Sequence, residues 1–445
     1  MSKYFGTDGI RGKANVELDA RKAFLVGSYL GYWFSRSGRQ KIVIGKDTRL
    51  SSDMLENALA SGIAAYGCDA YLVGFCPTPV ISYLTRTKDF ACGAMISASH
   101  NPYYDNGIKI FSVEGIKMSS DVEDQIEEYI DGKVTLEYKT GDAIGRVIRY
   151  EEGLDDYIDW ITKEYPIDLT GMRIAMDCAN GAACYTAERT LKRLGAECTA
   201  VNNTPDGLNI NTKCGSTHPE AFCEFMKNGS FDIGLTFDGD ADRQILVTPQ
   251  GELVNGDYML YICGIYYRDK GVLTNNTVVT TVMANLGLFK AMEREGIEVV
   301  QTAVGDKYVY EEMAKKNDVV GGEQSGHIIF LRHAVTGDGL MTALAMLKII
   351  KDTGKTICEL MEGLRIYPQL LVNVKVTDKN AVLKDDEINE LIKEVTASLN
   401  GNGRILVRPS GTEPLLRVMA EAETDEICAN VVHRIADRIR EKYGA

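Results

Sequence analysis

The sequence has no long hydrophobic run. Its longest apolar stretch, residues 340–350, is broken by Lys348 and is far shorter than the roughly 18 residues that a membrane-spanning helix needs. The first 15 residues carry charges and glycines where a secretory signal peptide would have an apolar centre. We therefore expect neither membrane insertion nor secretion.

Basic residues and paired cysteines are also scarce. The chain has 49 Lys and Arg residues against 63 Asp and Glu residues, for a formal net charge of −14. Neutralising nucleic-acid phosphates requires a basic face, so this composition argues against a general nucleic-acid-binding protein. The 11 cysteines include no Cys-x-x-Cys pair, which argues against a disulfide framework and a structural zinc site. A reduced, cytoplasmic protein is expected.

Short apolar strands alternate with helical stretches over most of the 445 residues. This alternation predicts layered α/β domains with largely parallel sheets, and the chain length corresponds to about three domains. The pattern changes after Tyr367-Pro368 to strand, helix, two strands and helix, which predicts a smaller α+β domain at the C-terminus. Domain boundaries are expected near residues 150, 252 and 367.

The clearest chemical signal is the segment Thr236–Arg243, which follows an apolar strand. In an extended or gently turning segment, Asp238, Asp240 and Asp242 project to the same side. Three carboxylates that point at one place suit a hard cation such as Mg²⁺. A solvated acidic turn is the alternative, although three neighbouring like charges repel one another and a cation is the simplest compensation.

A second signal is Gly93–Pro102, followed by Asp105–Lys109. An apolar strand leads into a turn that holds Ser97, Ser99 and His100. A serine beside His100, with Lys109 downstream, can be a nucleophile or a phosphate acceptor. An ordinary turn with Asn-Pro punctuation explains the segment equally well when it is taken alone.

The third signal is Arg408–Pro414, with Arg417 close behind. Its glycine, its two hydroxyls and its guanidinium groups would form a phosphate-binding loop. The segment lacks the Gly-Lys-Ser/Thr ending of a P-loop, so nucleotide binding is not implied. A polar hairpin loop is the alternative.

Two weaker segments contain further candidate residues. Gly321–His327 offers Glu323, Ser325 and His327 in a flexible loop, and such groups suit sugar hydroxyls. Phe5–Gly12 places Arg11 among glycines near the N-terminus. Each of these segments alone is equally typical of a flexible polar stretch.

Together these segments resemble the α-D-phosphohexomutase superfamily and, within it, most closely the bacterial phosphoglucosamine mutase family. The resemblance is carried by Phe5–Gly12, Ile96–Pro102 with Asp105–Lys109, Thr236–Arg243, Gly322–His327 and Arg408–Arg417. They occur in the family order and extend from residue 5 to residue 417, so the resemblance covers nearly the whole chain.

The resemblance implies a fold class: three related α/β (phosphoglucomutase-like) domains and a C-terminal α+β domain like the TATA-binding protein, around a central cleft. Residues 1–150 would hold the phosphoserine loop and residues 151–252 the metal-binding loop. Residues 253–367 would hold the sugar-recognition loop, and residues 368–445 would bind phosphate.

The resemblance also implies roles for individual residues. Ser99 would be the phosphoserine, and its phosphate would complete a site for one Mg²⁺ per subunit with Asp238, Asp240 and Asp242. Arg243 would help to hold the transferred phosphoryl group. The sugar hydroxyls would be read by Glu323 and Ser325. The distal phosphate would be held by Arg408, Ser410, Gly411, Thr412 and Arg417. The remaining candidates around the transferring group, without assigned acid or base roles, are Arg11, His100, Lys109 and His327.

The implied reaction interconverts glucosamine 6-phosphate and glucosamine 1-phosphate through glucosamine 1,6-bisphosphate, and it supplies UDP-N-acetylglucosamine synthesis. A homodimer is implied, and some Gram-positive relatives bind a membrane diadenylate cyclase. Two alternatives stay open: a phosphoglucomutase/phosphomannomutase that acts on neutral hexoses, and a catalytically silent sugar-phosphate sensor. The intact Ser99 and aspartate triplet argue against silence.

Overall fold

A computed structural model describes residues 3–6, 8–410 and 415–444. The chain forms two compact units, of which the first comprises residues 1–282 and 298–361 and the second comprises residues 283–297 and 362–445. The first unit contains three α/β sheets and the second contains one small sheet. Among the described residues, none of the helices combines the length and the apolar character that crossing a bilayer requires.

The first sheet has seven strands in the order β1-β2-β6-β5-β3-β4-β7. Its strands are β1 (Phe5–Gly6), β2 (Gly9–Lys13), β3 (Lys41–Lys46), β4 (Asp69–Phe75), β5 (Cys92–Ile96), β6 (Asp105–Phe111) and β7 (Val147–Arg149). Its helices are α1 (Ala20–Ser35), α2 (Ser52–Ala65), α3 (Thr78–Thr87) and α4 (Ser120–Ile130). Leu30, Leu59 and Ile63 are fully buried in the core that α1 and α2 form with this sheet. Burial of each such side chain stabilises the fold by about 2 kcal/mol.

The second sheet has five strands in the order β12-β11-β10-β8-β9. Its strands are β8 (Arg173–Asp177), β9 (Glu197–Val201), β10 (Ile233–Phe237), β11 (Gln244–Val247) and β12 (Leu253–Val254). The helices of this region are α5 (Glu152–Glu164), α6 (Ala187–Arg193) and α7 (Glu220–Asn228). A 3₁₀ turn over Ala182–Tyr185 precedes α6.

The third sheet has four strands in the order β14-β13-β15-β16. Its strands are β13 (Thr277–Thr281), β14 (Glu298–Thr302), β15 (Val320–Gly322) and β16 (Ile328–Phe330). The helices along this part of the chain are α8 (Gly256–Asp269), α9 (Leu286–Arg294), α10 (Asp306–Lys316), α11 (Gly339–Thr353) and α12 (Ile357–Met361). Helix α9 belongs to the second unit.

The second unit contains the α+β domain that the sequence predicts. Its strands β17 (Gln369–Lys375), β18 (Arg404–Pro409) and β19 (Leu415–Glu421) form an antiparallel sheet in the order β17-β19-β18. Its other helices are α13 (Lys379–Leu383), α14 (Asp386–Ser398) and α15 (Asp425–Tyr443). The apolar stripes of α14 and α15 join one core with the sheet, as the sequence pattern predicts.

The prediction of largely parallel sheets is wrong in part, because each α/β sheet is mixed. Strands β5, β10 and β15 each have a parallel neighbour, but the strand that follows each of them in the chain pairs antiparallel to it. The composition of β6, β11 and β16 does not reveal this direction. Each pair is joined by a loop that contains predicted functional residues, and these loops cover residues 97–104, 238–243 and 323–327. The predicted boundaries near residues 150, 252 and 367 stay predictions.

Candidate active site

The loop after β10 brings the three predicted aspartates together. One carboxylate oxygen from each of Asp238, Asp240 and Asp242 lies within 4.8 Å of the others, and all three residues are buried. The segment is a tight turn in which Ala241 has a φ of 55°, rather than the extended stretch that the sequence suggests. The carboxylates therefore converge because the chain reverses into β11, and not through strand alternation.

The Ser99 loop reaches this turn from the first sheet. The Ser99 hydroxyl donates a hydrogen bond to Asp238 Oδ2 over 2.6 Å, and Ser99 is only 1% exposed. A Cβ atom on Gly239 would lie 2.6 Å from the Ser99 carbonyl oxygen, so only glycine permits this approach of the two loops. Ser99 itself has a φ of 50°, a left-handed conformation that costs a residue other than glycine about 1 kcal/mol. The surrounding loop stabilises this conformation.

Lys109, on β6, is the main buried cation beside the triplet. Its Nζ lies 2.8 Å from Asp240 Oδ2, 3.4 Å from Asp242 Oδ2 and 3.1 Å from Asp8 Oδ2. Burial would lower the pKa of Lys109, but Asp240, Asp8 and Asp242 outweigh burial and raise this pKa well above its usual value. Lys109 is therefore an ammonium ion at neutral pH, which suits it to charge neutralisation rather than to proton abstraction.

The carboxylates of the triplet have different protonation tendencies. Burial, together with the charges of Asp242 and Asp240, raises the pKa of Asp238 well above its usual range. Burial also acts to raise the pKa of Asp242, but Lys109, His327 and Arg243 outweigh it and hold that pKa far below its usual range. The crowding of the three carboxylates therefore makes Asp238 harder to ionise.

The donor set fits a hard divalent cation. Asp240 Oδ1 and Asp242 Oδ1 are buried and make no hydrogen bond among the described residues. Unbonded buried carboxylate oxygens are costly, and a cation can compensate them. An all-oxygen donor set is the kind that Mg²⁺ prefers. The residues present therefore support the predicted metal site.

His100 lies next to the Ser99 hydroxyl, with its Nδ1 at 3.4 Å from Ser99 Oγ. Burial lowers the pKa of His100 to about 4, and the positive charges of Arg243 and Arg11 act in the same direction. The imidazole is therefore neutral at pH 7.

Arg11 and Arg243 are the two predicted arginines near Ser99. The Nε atom of each is buried and makes no hydrogen bond among the described residues. Arg11 also forms an ion pair with Asp8. Burial would lower the pKa of Arg243, but Asp242, Asp238 and Glu323 raise it. Both guanidinium groups can offer an Nε–H donor to an anion.

The loop after β15 contains Glu323 and His327 and belongs to the first unit, as the aspartate triplet does. The backbone N–H of Gly305 donates to Glu323 Oε1 over 3.1 Å. His327 is buried, and its Nε2 accepts a hydrogen bond from the Gly337 N–H over 2.9 Å, so its proton resides on Nδ1. That Nδ1 faces Asp242 Oδ2 at 3.8 Å. Ser325 is exposed in the same loop.

Sequence reasoning missed three ion-pairing residues that connect these loops. Asp8 faces Lys109 and also Lys117, whose Nζ lies 2.9 Å from Asp8 Oδ1 and 2.6 Å from Asp306 Oδ1. Asp306 Oδ2 lies 3.7 Å from His327 Nε2. Burial would raise the pKa of Asp8, but Lys109, Lys117 and Arg11 hold it well below its usual range. Asp8 stands within the Phe5–Gly12 motif, so that motif contained a signal for it.

The predicted phosphate-binding segment lies in the second unit. Arg408 and Arg417 are directly opposite each other on β18 and β19. Burial and the charge of Arg417 lower the pKa of Arg408, and Arg408 Nε makes no hydrogen bond among the described residues. Like charges opposite each other across strands are unfavourable unless an anion compensates them. Ser410 is buried beside them, whereas Gly411 and Thr412 lie outside the described residues.

Family comparisons match nearly the whole chain. Models of the phosphoglucomutase/phosphomannomutase family match residues 2–136 as alpha/beta/alpha domain I, residues 155–251 as domain II, residues 255–367 as domain III and residues 371–438 as the C-terminal domain. These matches agree with the predicted fold class of three α/β domains and one C-terminal domain.

Relatives named phosphoglucosamine mutase from Bacillus licheniformis and Geobacillus thermodenitrificans are each 49% identical to the chain. Both alignments cover 100% of the chain and 100% of the relative.

Solved structures show the same fold. A phosphoglucomutase/phosphomannomutase family protein from Burkholderia thailandensis has a TM-score of 0.81 and 24% identity, with 99% of this chain and 98% of that chain covered. The Aspergillus fumigatus N-acetylphosphoglucosamine mutase in complex with GlcNAc-6P and magnesium has a TM-score of 0.68 and 17% identity, with 99% and 96% covered.

Proposed function

The chain belongs to the phosphoglucomutase/phosphomannomutase family, and we propose that it interconverts glucosamine 6-phosphate and glucosamine 1-phosphate. The observation that carries the chemistry is the position of the Ser99 hydroxyl, which donates a hydrogen bond to Asp238 of the buried aspartate triplet. Two guanidinium groups nearby have Nε–H donors that make no hydrogen bond among the described residues. Phosphoryl transfer needs this combination of a positioned acceptor and neutralising charge.

The choice of an amino sugar rests on the full-length relatives. At 49% identity, they are named for glucosamine phosphate, so the neutral-hexose alternative is not favoured. The sensor alternative is not favoured either, because Ser99 and all three aspartates are present and in contact.

Magnesium is the cation that this donor set supports. Asp238, Asp240 and Asp242 would hold one Mg²⁺ per subunit, with a phosphate oxygen on Ser99 as a further ligand. When bound, the cation withdraws charge from the phosphoryl oxygens and so stabilises the transition state.

The reaction runs through a phosphorylated Ser99. Ser99 transfers its phosphoryl group to O1 of glucosamine 6-phosphate: the O1–P bond forms as the Ser99 Oγ–P bond breaks, and the O1 proton ends on Ser99 Oγ. The product is glucosamine 1,6-bisphosphate, which also serves as an activator. The bisphosphate then turns end for end and returns its 6-phosphoryl group to Ser99. Arg243, Arg11 and the Lys109 ammonium neutralise the moving phosphoryl group.

Proton handling at Ser99 falls to His100, whereas His327 lies beside Asp242. His100 is neutral at pH 7 and lies beside Ser99 Oγ, so its Nδ1 can accept the hydroxyl proton when Ser99 is rephosphorylated. His327 carries its proton on Nδ1, where it faces Asp242, and it orients that carboxylate.

Substrate recognition is divided between two loops. Glu323 and Ser325 read the hydroxyl and amino groups of the sugar, and the Glu323 carboxylate favours a cationic amine. The phosphate that does not react is bound by Arg408, Ser410, Gly411, Thr412 and Arg417. The opposed positive charges of Arg408 and Arg417 support this assignment.

A coupled assay that compares glucosamine, glucose and mannose 6-phosphates tests the proposal. The highest kcat/KM should be obtained with the glucosamine compound, whereas equal or better turnover of a neutral hexose phosphate would contradict it. The homodimer and the diadenylate cyclase partner stay predictions, which light scattering and a binding assay with the purified cyclase can test.

A further inference from the structure

The Ser99 loop is built around one buried guanidinium. Arg49 is 2% exposed, and its Nη2 donates to the carbonyl oxygens of Ser99 at 2.8 Å and Asn101 at 2.9 Å. Its Nη1 donates to the carbonyl oxygens of Pro102 and of Asp105, the latter at 3.0 Å. Three carbonyl groups of this loop and that of Asp105, the first residue of β6, therefore converge on a single side chain.

Arg49 has no donor left for a substrate. A guanidinium has five N–H donors, and the fifth, on Nε, donates to Asp47 Oδ2 over 2.8 Å. Four converging carbonyl dipoles would repel one another without a cation at their centre, so the loop conformation depends on this charge. Arg49 therefore differs from Arg11 and Arg243, whose Nε–H groups are available.

Asp47 connects Arg49 to Ser99 through the Ser97 hydroxyl. It neutralises Arg49, and its Oδ2 accepts a hydrogen bond from the Ser97 hydroxyl over 2.7 Å. The Ser97 oxygen in turn accepts the Ser99 backbone N–H over 2.8 Å. Both the N–H and the C=O of Ser99 are thus held by this network, at the one residue of the loop with a positive φ.

We propose that Arg49, Asp47 and Ser97 are positioning residues for phosphoryl transfer. They hold Ser99 in its left-handed conformation, so that its Oγ points at Asp238. This inference rests on the proposed function, because it requires Ser99 to be the residue that receives the phosphoryl group. Asp47, Thr48 and Arg49 directly follow β3, which has parallel neighbours. Functional residues of α/β sheets commonly lie at the carboxyl ends of such strands, so this position in the sequence is a signal for them.

The test measures phosphorylation of Ser99 itself. The dephosphorylated full-length protein with Mg²⁺ is mixed with glucose 1,6-bisphosphate, and the phosphorylated fraction is followed by rapid quench and intact-protein mass spectrometry. Ser97→Ala should lower the maximal rate by about tenfold, and Arg49→Lys, which has only three donors, by about a hundredfold. The half-saturating concentration should change less than about twofold in both, because both side chains are buried and are hydrogen-bonded within the protein.

Ser82→Ala is the matched control. Its buried hydroxyl donates to the Gly115 carbonyl oxygen over 2.6 Å, so the substitution removes a comparable hydrogen bond without touching the Ser99 loop, and it should keep the wild-type rate. If folded Ser97→Ala or folded Arg49→Lys reacts as fast as Ser82→Ala, the positioning role is refuted. If the wild-type protein is never phosphorylated on Ser99, both this inference and the proposed function fail.

Discussion

The Ser99 hydroxyl donates a hydrogen bond to Asp238 Oδ2 over 2.6 Å, although 139 positions of sequence separate the two residues. This contact joins the loop after β5 to the loop after β10. It places the predicted phosphate acceptor against the predicted metal ligands.

Ser99→Ala should abolish nearly all turnover, because no other hydroxyl is bonded to the triplet from this loop. The Ser97 hydroxyl instead donates to Asp47, away from the triplet. Peptide mass spectrometry of active wild-type protein should find the phosphate on Ser99. A phosphate on Ser97, together with an active Ser99→Ala variant, would refute the assignment.

Asp240→Asn should lower kcat by more than about a hundredfold, because loss of one carboxylate charge weakens binding of the cation. A bound cation contributes several kcal/mol of transition-state stabilisation. A chelator should abolish wild-type activity and Mg²⁺ should restore it. Asp232→Asn, a change at an exposed residue just before β10, is the control and should remain active. Full activity in excess chelator would leave the triplet as an acidic turn.

The pKa of His100 predicts a pH-dependent stability in the metal-free, dephosphorylated chain. Burial lowers this pKa to about 4 from its ordinary value of 6.5, so the folded state binds the proton more weakly than the unfolded state. The neutral His100 imidazole therefore makes its full contribution to the free energy of unfolding above about pH 6.5, and this contribution is lost as the pH falls towards 4.

Denaturant unfolding of wild type and His100→Gln between pH 4 and 7 measures this contribution. The stability difference between the two proteins should change by up to about 1 kcal/mol per pH unit in this window. His433→Gln, which removes an exposed imidazole, should keep the wild-type profile. Parallel profiles for wild type and His100→Gln would contradict the lowered pKa.

Substrate preference should depend on Glu323. The kcat/KM for glucosamine phosphate should exceed that for the glucose analogue by at least about tenfold, which equals about 1.4 kcal/mol. Glu323→Gln should narrow this gap, because it removes the charge that favours the amine. Glu298→Gln, at an exposed position of β14, should leave the ratio unchanged. An unchanged ratio in Glu323→Gln would place the discrimination elsewhere.

Arg408→Gln should raise the KM for the sugar phosphate by at least about tenfold, because a charged hydrogen bond to phosphate contributes about 2 kcal/mol. Phosphorylation of Ser99 should remain detectable in this variant, since Arg408 lies on β18 of the second unit. Arg440→Gln, which changes an exposed residue of α15, is the control. A wild-type KM in Arg408→Gln would contradict the phosphate-binding assignment.

The C-terminal α+β domain and the aspartate triplet could be predicted from the sequence, because both depend on local patterns. The apolar stripes of α14 and α15 follow helical periodicity. Asp238, Asp240 and Asp242 lie within five consecutive positions, so any compact turn brings their carboxylates close. The resemblance extended this prediction to Ser99, Lys109 and the arginines.

The local pattern did not determine strand direction or the partners of the site residues. The expectation of largely parallel sheets did not anticipate the antiparallel strands β6, β11 and β16, because burial on both faces produces the same composition in either direction. Asp8 and Arg49 were missed, because their partners lie far away in the sequence: Lys109 for Asp8, and the 99–105 carbonyl groups for Arg49.

Sequence alone therefore determined which residues are the main candidates for the chemistry, since residue type and spacing set the charges and hydrogen-bonding groups available. The tertiary structure decided how they act together. The left-handed conformation of Ser99, its contact with Asp238 and the four hydrogen bonds that Arg49 donates to carbonyl groups exist only once separate loops pack. The physical reason is that a hydrogen bond between distant residues depends on the path of the whole chain, whereas local propensity extends over only a few residues.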